Sequence, residues 1–169
     1  MKFEILNSGV TESNTDSICI PYYKNNDKNT DLNSANKSID NILNDLEERK
    51  QISSNIGAIT NIYTLNKLNS KQLILVGMGD EKDLNYEKIR KANGTLGRFL
   101  NTMKNNSTSM IIPGAGNDNL EFNETVDAVS QGLMLGTYKY DKFKTKKTPN
   151  TLSEINLINS SNNTKVSNT

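Results

Sequence analysis

The chain has 169 residues, a formal net charge of +1, no histidine and one cysteine, Cys19. The absence of histidine excludes Ser-His-Asp and Cys-His nucleophilic sites and zinc sites built on paired histidines. Because positive and negative side chains are interspersed, we expect no broad electrostatic attraction to nucleic acid or to an anionic membrane.

Length and hydropathy predict one α/β domain over residues 1–158, followed by a polar tail over 159–169 that is predicted to be flexible. The longest apolar run, residues 73–78, is too short to span a bilayer, and the N-terminus carries no hydrophobic signal region. We therefore expect a cytoplasmic protein. Cys19 lies between two isoleucines, which predicts a small buried hydrophobic residue rather than a reactive thiol.

The N-terminal part of the chain predicts two short strands and one helix. The strands cover residues 2–6 and 17–23 and are separated by a polar turn. Residues 24–37 contain almost no apolar side chain, which predicts an exposed loop. The helix after this loop is predicted from one apolar face, formed by Ile39, Ile42, Leu43 and Leu46.

The middle of the chain predicts a β-hairpin. Residues 57–65 alternate apolar and polar side chains, with Ile59, Tyr63 and Leu65 on the apolar face, and residues 66–70 form the predicted turn. The partner strand, residues 71–78, is continuously apolar, as is typical of a strand covered on both faces. We therefore expect this strand to form the centre of the fold.

A long helix is predicted after the hairpin. Asn85 is the expected N-cap, and apolar side chains then recur at three- and four-residue intervals as far as Met103. Gly94 and Gly97 lie inside this helix, where each costs about 1 kcal/mol relative to alanine. Close approach of the helix to the sheet is the compensation we expect.

A second long helix is predicted from the cap Asn123 to about Tyr140. Its small residues repeat every four positions and predict a closely packed neighbour: Ala128, Gly132 and Gly136. Strands at 109–112 and 152–158 flank this helix. The alternation of strands and helices predicts an α/β fold with a mixed sheet flanked by helices.

Two glycine-containing turns follow predicted strands, at residues 77–80 and 113–117. Each has a Gly-x-Gly triplet, but Lys82 and Asn119 stand where a dinucleotide-binding fingerprint requires its third glycine. Glycine is common wherever the backbone at a strand end needs a positive φ. Both triplets are therefore predicted to be turn glycines rather than phosphate-binding loops.

Two clusters of charged residues are weak indications of a binding function. Asp80, Glu81 and Asp83 have the chemistry to hold a hard cation, but acidic residues before a helix also favour its dipole, and we prefer that interpretation. A basic segment contains four lysines but no arginine: Lys142, Lys144, Lys146 and Lys147. It predicts an exposed linker or a protein contact in preference to nucleic-acid binding.

Two segments of the chain resemble signatures of a known family. Residues 71–79 (KQLILVGMG) and 84–94 (LNYEKIRKANG) are similar to a hydrophobic strand ending in Val-Gly-x-Gly and the helix that follows it in the N-terminal domain of the leucyl (cytosol) aminopeptidase family. Residues 131–144 (QGLMLGTYKYDKFK) resemble the family's Glu-Gly-x-x-Leu-x-x-Tyr-x-Phe-Asp-x-Tyr-Lys signature. Gln131 replaces the usual acidic residue, and Tyr140 and Phe143 exchange the usual aromatic residues.

The resemblance implies a macro-domain-like fold for this chain and no catalytic residue within it. In the family, two divalent ions, zinc or manganese, are bound in a separate C-terminal catalytic domain. Its Asn-Thr-Asp-Ala-Glu-Gly-Arg motif has no counterpart, since the Asn-Thr-Asp tripeptides at 14–16 and 29–31 continue differently and are interpreted as chance. We therefore expect a fragment or truncated product whose role lies in assembly or regulation, with the catalytic domain and the other subunits of a homohexamer as its partners.

A second hypothesis is a macro-like module that binds ADP-ribose or a related nucleotide. The two glycine-containing turns would form the walls of its cleft, and their candidate ligand residues are Gly77, Gly79, Asp80, Gly114, Gly116 and Asn117. DNA binding through the lysine segment is the least favoured alternative. These patterns leave open whether the chain self-associates and which ligand it binds. They also leave open which metal and which substrates the parent enzyme prefers.

Overall fold

A computed structural model describes residues 1–139, 145–146 and 150–160. The described residues form a mixed β-sheet with α-helices on both faces. The strands are β1 Lys2–Leu6, β2 Ser17–Tyr23, β3 Ile59–Tyr63, β4 Gln72–Gly79, β5 Ser107–Ile111 and β6 Glu154–Ile158. The helices are α1 Thr30–Ser38, α2 Ile42–Glu48, α3 Tyr86–Met103 and α4 Phe122–Thr137, with short 3-10 helices at Val10–Glu12 and Glu81–Asp83.

The strands lie in the order β1-β6-β5-β2-β4-β3. Neighbouring strands are parallel except for the antiparallel hairpin of β3 and β4. The predicted α/β fold class is confirmed. Residues 71–78, expected at the centre of the fold, form β4, which is buried between both hydrophobic cores; in the strand order, however, β4 lies beside the edge strand β3, and β5 and β2 take the central positions.

The apolar run in β4 is explained by the two hydrophobic cores that it separates. Ile74, Val76 and Met78 pack with α3 and α4 on one face, and Leu73 and Leu75 pack with α1 and α2 on the other. Successive side chains of a strand point to opposite faces, so a strand between two helical layers must be apolar at every position. Continuous hydrophobicity therefore reports burial on both faces rather than a central place in the strand order.

The segment predicted as a loop at residues 24–37 contains α1, so this prediction is wrong. Asn29 caps the helix, since its side-chain oxygen accepts a hydrogen bond from the backbone N–H of Leu32 at 3.2 Å. Leu32 and Ala35 are buried, and two apolar residues among asparagines carry too weak a periodic signal to predict a helix.

The single helix predicted around Ile39 and Leu46 is also divided. Asp40 and Asn41 adopt positive φ values of 60° and 59°, which end α1 and place a turn before α2. Leu43 is buried, but Ile42 is exposed on the solvent side of α2.

The predicted hairpin is confirmed, but its inward-facing residues differ from those expected. Ile62 of β3 is buried against the α1 and α2 side, whereas Tyr63 and Leu65 are exposed. Ile59 instead packs against the opposite core. Tyr63 is the last residue of the edge strand β3, and Leu65 follows it in a turn.

The two long helices begin at different kinds of cap. The predicted cap Asn85 is confirmed, since its side chain accepts a hydrogen bond from the N–H of Lys88 at 2.9 Å. The predicted cap Asn123 is wrong: α4 begins at Phe122, and Glu121 precedes it without a side-chain capping bond. The end of α4 is at Thr137 rather than near Tyr140.

Glycines bring α3 and α4 into direct backbone contact. A Cβ atom at Gly97 would lie 2.8 Å from the carbonyl oxygen of Leu133, and one at Gly136 would lie 2.2 Å from that of Gly94. The predicted close neighbour of the small residues in α4 is therefore α3. The expectation that α3 uses its glycines to approach the sheet is wrong, because these glycines face α4.

Some predictions fall on residues outside the described ranges. Three lysines of the basic segment, Lys142, Lys144 and Lys147, are among them, as are residues 161–169 of the proposed tail. Asn159 is described, and its N–H donates to the carbonyl oxygen of Leu6 at 2.9 Å. Among the described residues, none of the helices combines the length and the hydropathy needed to cross a bilayer.

The contact between α3 and α4 predicts a position-specific effect of adding one methyl group. We expect Gly136→Ala to lower the free energy of unfolding by about 1–3 kcal/mol, the usual cost of overpacking. Gly94→Ala is the matched control: its nearest neighbouring atom would be 3.7 Å from the new Cβ. Its better helix propensity should make it neutral or stabilising by up to about 1 kcal/mol. Urea denaturation measures the free energy of unfolding of both variants. Equal losses of stability would contradict the close contact between α3 and α4.

Candidate functional site

The carboxyl ends of β2, β4 and β5 meet at one edge of the sheet because these three neighbouring strands are parallel. After β2 the chain passes to α1, which packs on one face, and after β5 it passes to α4, which packs on the other. Connections that leave adjacent strands toward opposite faces open a crevice between them, the usual ligand position in open α/β sheets. The candidate site lies at this edge.

The first predicted ligand turn, residues 77–80, contributes little to this crevice. Gly77 lies inside β4, and a Cβ there would be 2.0 Å from the carbonyl oxygen of Asn55, so the neighbouring backbone fills the space. Gly79 ends the strand with a φ of +71°. Asp80 is exposed, and its carboxylate accepts a hydrogen bond from the N–H of Lys82 at 3.1 Å as the cap of the short 3-10 helix.

The second predicted turn, residues 113–117, joins the end of β2. The N–H of Gly114 donates to the phenolic oxygen of Tyr23 at 2.9 Å, and Tyr23 is buried. Burial raises the pKa of Tyr23, and the nearby negative charge of Glu81 raises it further. The phenol is therefore neutral at the end of β2 and fixes the start of the turn.

Asn117 joins the second predicted turn to the 3-10 helix Glu81–Asp83, which follows the first. Its side-chain amide donates to the carbonyl oxygens of Glu81, Lys82 and Leu84 at 2.9, 3.3 and 3.1 Å. Its side-chain oxygen accepts a hydrogen bond from the N–H of Asn119 at 2.9 Å. Asn117 is buried, so these bonds satisfy carbonyl groups that would otherwise lose their contact with water.

Glu81 places a carboxylate in the second turn. Its Oε1 atom accepts a hydrogen bond from the N–H of Gly116 at 2.9 Å. A Cβ at Gly116 would lie 2.8 Å from the Oε2 atom of Glu81, so a larger residue there would require this flexible side chain to shift. The structure therefore brings Gly114, Gly116 and Asn117 together around Glu81, while Gly77 and Asp80 serve the backbone elsewhere.

The residues at this edge do not suit a metal ion. Asp80 is used as a cap and Glu81 is turned toward Gly116, so the acidic cluster of residues 80–83 does not converge. Within the described ranges, no group of three or more His, Cys, Asp or Glu side chains lies close enough to hold a metal. The two metal ions implied by the family resemblance thus find no ligand set among these residues.

Asp31 is the second carboxylate near the crevice. It lies in the first turn of α1, and burial raises its pKa while a hydrogen bond with Ser160 lowers it. Its negative charge also contributes to the raised pKa of Tyr23. The phenol of Tyr23 thus lies in the field of two carboxylates from different elements, Asp31 and Glu81.

The Asn-Thr-Asp tripeptides have structural roles. Asp16 accepts hydrogen bonds from the backbone N–H groups of Asn106 and Ser107 at 2.8 and 3.1 Å, which secures the start of β2 to the start of β5. Asn29 of the second tripeptide is the cap of α1. The tripeptides therefore stabilise local structure at opposite ends of β2.

Cys19 is buried at the centre of the sheet, as predicted. Burial raises the pKa of its thiol to about 12, and hydrogen bonds with Thr108 and Ser17 lower it only in part. A thiol that stays protonated and inaccessible is not a nucleophile.

A polar depression lies between α1 and α2, and its lining also includes Asn26 and Asp27 of the loop between β2 and α1. It is lined by side chains that include Asn36, Leu43 and Glu47. The hydroxyl of Tyr22 donates to the Glu47 carboxylate at 3.0 Å. Burial, together with this carboxylate, raises the pKa of Tyr22 to about 12. The phenol therefore remains neutral, and the pair serves to attach α2 to β2.

Sequence reasoning missed Tyr23 and Asp31 as members of the site and took Glu81 only as part of an acidic cluster. One signal was available, because residues that end or follow parallel strands are expected at a common edge. Tyr23 ends β2, and Glu81 follows β4. The direction of the Glu81 side chain depends on the position of Gly116, 35 residues away, and has no signal in the local sequence.

The role of Asn117 predicts a loss of stability when its amide donor is removed. Asn117→Asp keeps the oxygen that accepts from Asn119 but places a second oxygen against three carbonyl groups. We expect the free energy of unfolding to fall by about 1–3 kcal/mol. Asn119→Asp adds the same charge at an exposed side chain and should change stability by less than about 0.5 kcal/mol. Urea denaturation of both variants provides the comparison, and similar values would contradict the role of the Asn117 amide.

Comparison with known proteins shows which family and which fold this chain resembles. The model of the N-terminal domain of the cytosol aminopeptidase family matches residues 19–147. The probable cytosol aminopeptidase of Clostridium perfringens is 32% identical over 145 residues, which cover 86% of this chain and 28% of that protein. That of a Geobacter species, strain M21, is 26% identical, and the chain spans 29% of its length.

Two solved structures show the same fold. A mutant of tomato leucine aminopeptidase superposes with a TM-score of 0.76 at 15% identity, covering 94% of this chain and 32% of that one. The macrodomain of Mycobacterium tuberculosis DarG superposes with a TM-score of 0.69 at 10% identity, covering 92% of this chain and 97% of that one. These likenesses confirm the predicted macro-domain-like architecture. By the match of its family model, the chain belongs to the cytosol aminopeptidase family and corresponds to the N-terminal domain.

Proposed function

We propose that this chain is the non-catalytic N-terminal domain of a metal-dependent leucyl aminopeptidase of the cytoplasm, and that it serves in subunit assembly or regulation. The match of the family's N-terminal domain model to residues 19–147 carries this proposal. The parent enzyme removes N-terminal amino acids with two divalent ions, zinc or manganese, bound in its C-terminal domain. The partners of this domain are that catalytic domain and the other subunits of a homohexamer.

The chemistry of the described residues supports a non-catalytic role. The crevice at the edge of the sheet offers a neutral phenol and two carboxylates, Asp31 and Glu81, but no metal-binding group of three or more ligands. Cys19 is buried with a raised pKa. A two-metal hydrolase needs several carboxylates converging on both ions. That ligand set belongs to the part of the longer relatives that this chain does not span.

The outer surface of α4 supports a docking role. Met134, Leu135 and Tyr138 are 55%, 73% and 70% exposed at its C-terminal end, and we call these three residues the α4 patch. Met134 and Leu135 lie in the last turn of α4, and Tyr138 directly follows the last residue of the helix. The chain spans 28% of the Clostridium perfringens relative, whose remaining length provides a large partner surface. We assign the catalytic domain as the occupant of the α4 patch.

The proposal predicts that the purified chain alone does not hydrolyse leucine p-nitroanilide. Manganese and zinc should be supplied in separate assays, because either ion fits the parent enzyme. The aminopeptidase of Clostridium perfringens serves as the positive control under the same conditions. Turnover by this chain that disappears with a chelator would refute the non-catalytic role.

The docking role predicts an effect of the α4 patch in a chimeric enzyme. In this chimera, residues 1–158 of the chain replace the matching segment of the Clostridium perfringens aminopeptidase. We expect Met134→Ser with Leu135→Ser to weaken assembly, because each buried apolar side chain contributes about 1.5–3 kcal/mol. Sedimentation measures the loss of assembly, and a peptidase assay measures the accompanying change in activity.

Tyr63→Ser with Leu65→Ser is the matched control, since these two side chains are also exposed but lie on the β3–β4 hairpin. We expect this control to assemble and to hydrolyse substrate as the unmodified chimera does. Normal assembly of the α4 patch variant, or equal defects in both variants, would exclude the patch as the docking surface.

A further inference from the structure

We propose that the outer edge of β3 is a pairing surface for a second copy of this chain, in which the two β3 strands lie antiparallel and are centred on Asn61. Such a pair continues the sheet from one copy into the other. The proposal rests on the strand geometry of the described residues and is independent of the aminopeptidase assignment. It uses none of the residues of the α4 patch.

The first argument is that the main chain of β3 is hydrogen-bonded on one side only. Among the described strands, β3 ends the strand order and pairs only with β4. The N–H of Thr64 donates to the carbonyl oxygen of Lys71 at 3.0 Å. Because hydrogen-bonded positions alternate along an antiparallel pair, Thr60 and Ile62 also bond to β4. The residues between them direct their N–H and C=O groups away from the sheet: Ile59, Asn61 and Tyr63.

The second argument is that this edge is complementary to itself. Asn61 is the middle residue of β3, so an antiparallel pair centred there places Ile59 of one copy opposite Tyr63 of the other. Each opposed pair then exchanges both of its main-chain hydrogen bonds. A β-branched side chain opposite an aromatic one contributes about 0.2–1 kcal/mol relative to two alanines. Tyr63 is 60% exposed, so its ring is accessible for this contact.

The third argument is the absence of charge along the segment that contains β3. Residues 51–66 include no Asp, Glu, Lys or Arg. Exposed edge strands usually carry charged side chains, which prevent pairing with other chains. The opposite edge strand, β1, carries an ion pair between Lys2 and Glu4. Two β3 edges can therefore meet without repulsion between like charges.

The small size of the contact determines its strength. Each strand contributes five residues, so the interface is well below the roughly 1,200 Å² that specific, stable complexes bury. We expect a dissociation constant on the order of 0.1 mM, so that pairs form in concentrated solutions of the chain. In the dilute solutions used to assay the chimera, docking through the α4 patch does not depend on this pairing.

Hydrogen exchange in the unmodified chain tests the pairing without any substitution. NMR measurements at about 0.01 and 1 mM bracket the expected dissociation constant. The outward amides of Ile59, Asn61 and Tyr63 should exchange at least about threefold more slowly at the higher concentration, because only the pair gives them hydrogen bonds. The amides of Thr60 and Ile62, which bond to β4 in a single chain, are the internal control. Equal exchange of the outward amides at both concentrations would overturn the proposal.

Cysteine substitutions test the register of the pair. Opposed residues in a hydrogen-bonded pair have Cα atoms about 5.5 Å apart, a separation that a disulfide spans. Asn61→Cys should therefore form a covalent dimer under mild oxidation in concentrated solution. Tyr63→Cys is the matched control, because this more exposed position opposes Ile59 rather than itself and should not link. Cys19 is buried and does not compete. Equal linking of both variants, or none by folded Asn61→Cys, would contradict the register.

Charge substitutions test whether two copies of Asn61 meet at the centre of the pair. Asn61→Lys and Asn61→Glu each place like charges opposite one another, so each variant alone should sediment as a monomer at about 1 mM. An equimolar mixture should restore the dimer. A dimer that persists in Asn61→Lys but is lost in Met134→Ser with Leu135→Ser would assign self-association to the α4 patch and refute the β3 pair. If a charged variant fails to fold, hydrogen exchange in the unmodified chain decides.

Discussion

The parallel pairing of β2 with both β4 and β5 is the constraint on which the rest of the structure depends. It places three carboxyl ends at one edge and leaves β2 and β4 covered on both faces, so helices are required on each side of the sheet. The hydroxyl-rich start of β2 and the Asp16 carboxylate bond to the start of β5 and secure this pairing at the opposite edge. The crevice between β2 and β5 is a consequence of the same arrangement.

The helical layer of α3 and α4 depends on glycine rather than on large side chains. Gly97, Gly132 and Gly136 allow backbone atoms of the two helices to meet, at distances where any Cβ would overlap a neighbouring carbonyl group. The loss of helix propensity at these positions, about 1 kcal/mol for each glycine, is offset by the contact. The buried sides of both helices are thus occupied, while Met134 and Leu135 of α4 are exposed.

The crevice combines features of a ligand site with features of a closed surface. The N–H of Gly114 donates to the buried phenol of Tyr23, and the Glu81 carboxylate accepts a hydrogen bond from the N–H of Gly116. Among the described residues, this edge of the sheet holds no group of metal ligands, and a side chain of the chain itself occupies the crevice.

The sequence by itself determined the features that depend on neighbours along the chain. Apolar periodicity located β2, β4 and α3, the Asn85 cap was recognised from local chemistry, and contiguous signatures identified the family. Tertiary structure alone decided which distant segments meet: the pairing of α3 with α4, the place of β4 beside an edge, and the contact of Glu81 with Gly116. The physical reason is that these contacts follow from strand order, and strand order is set by the packing of the whole sheet rather than by any local repeat.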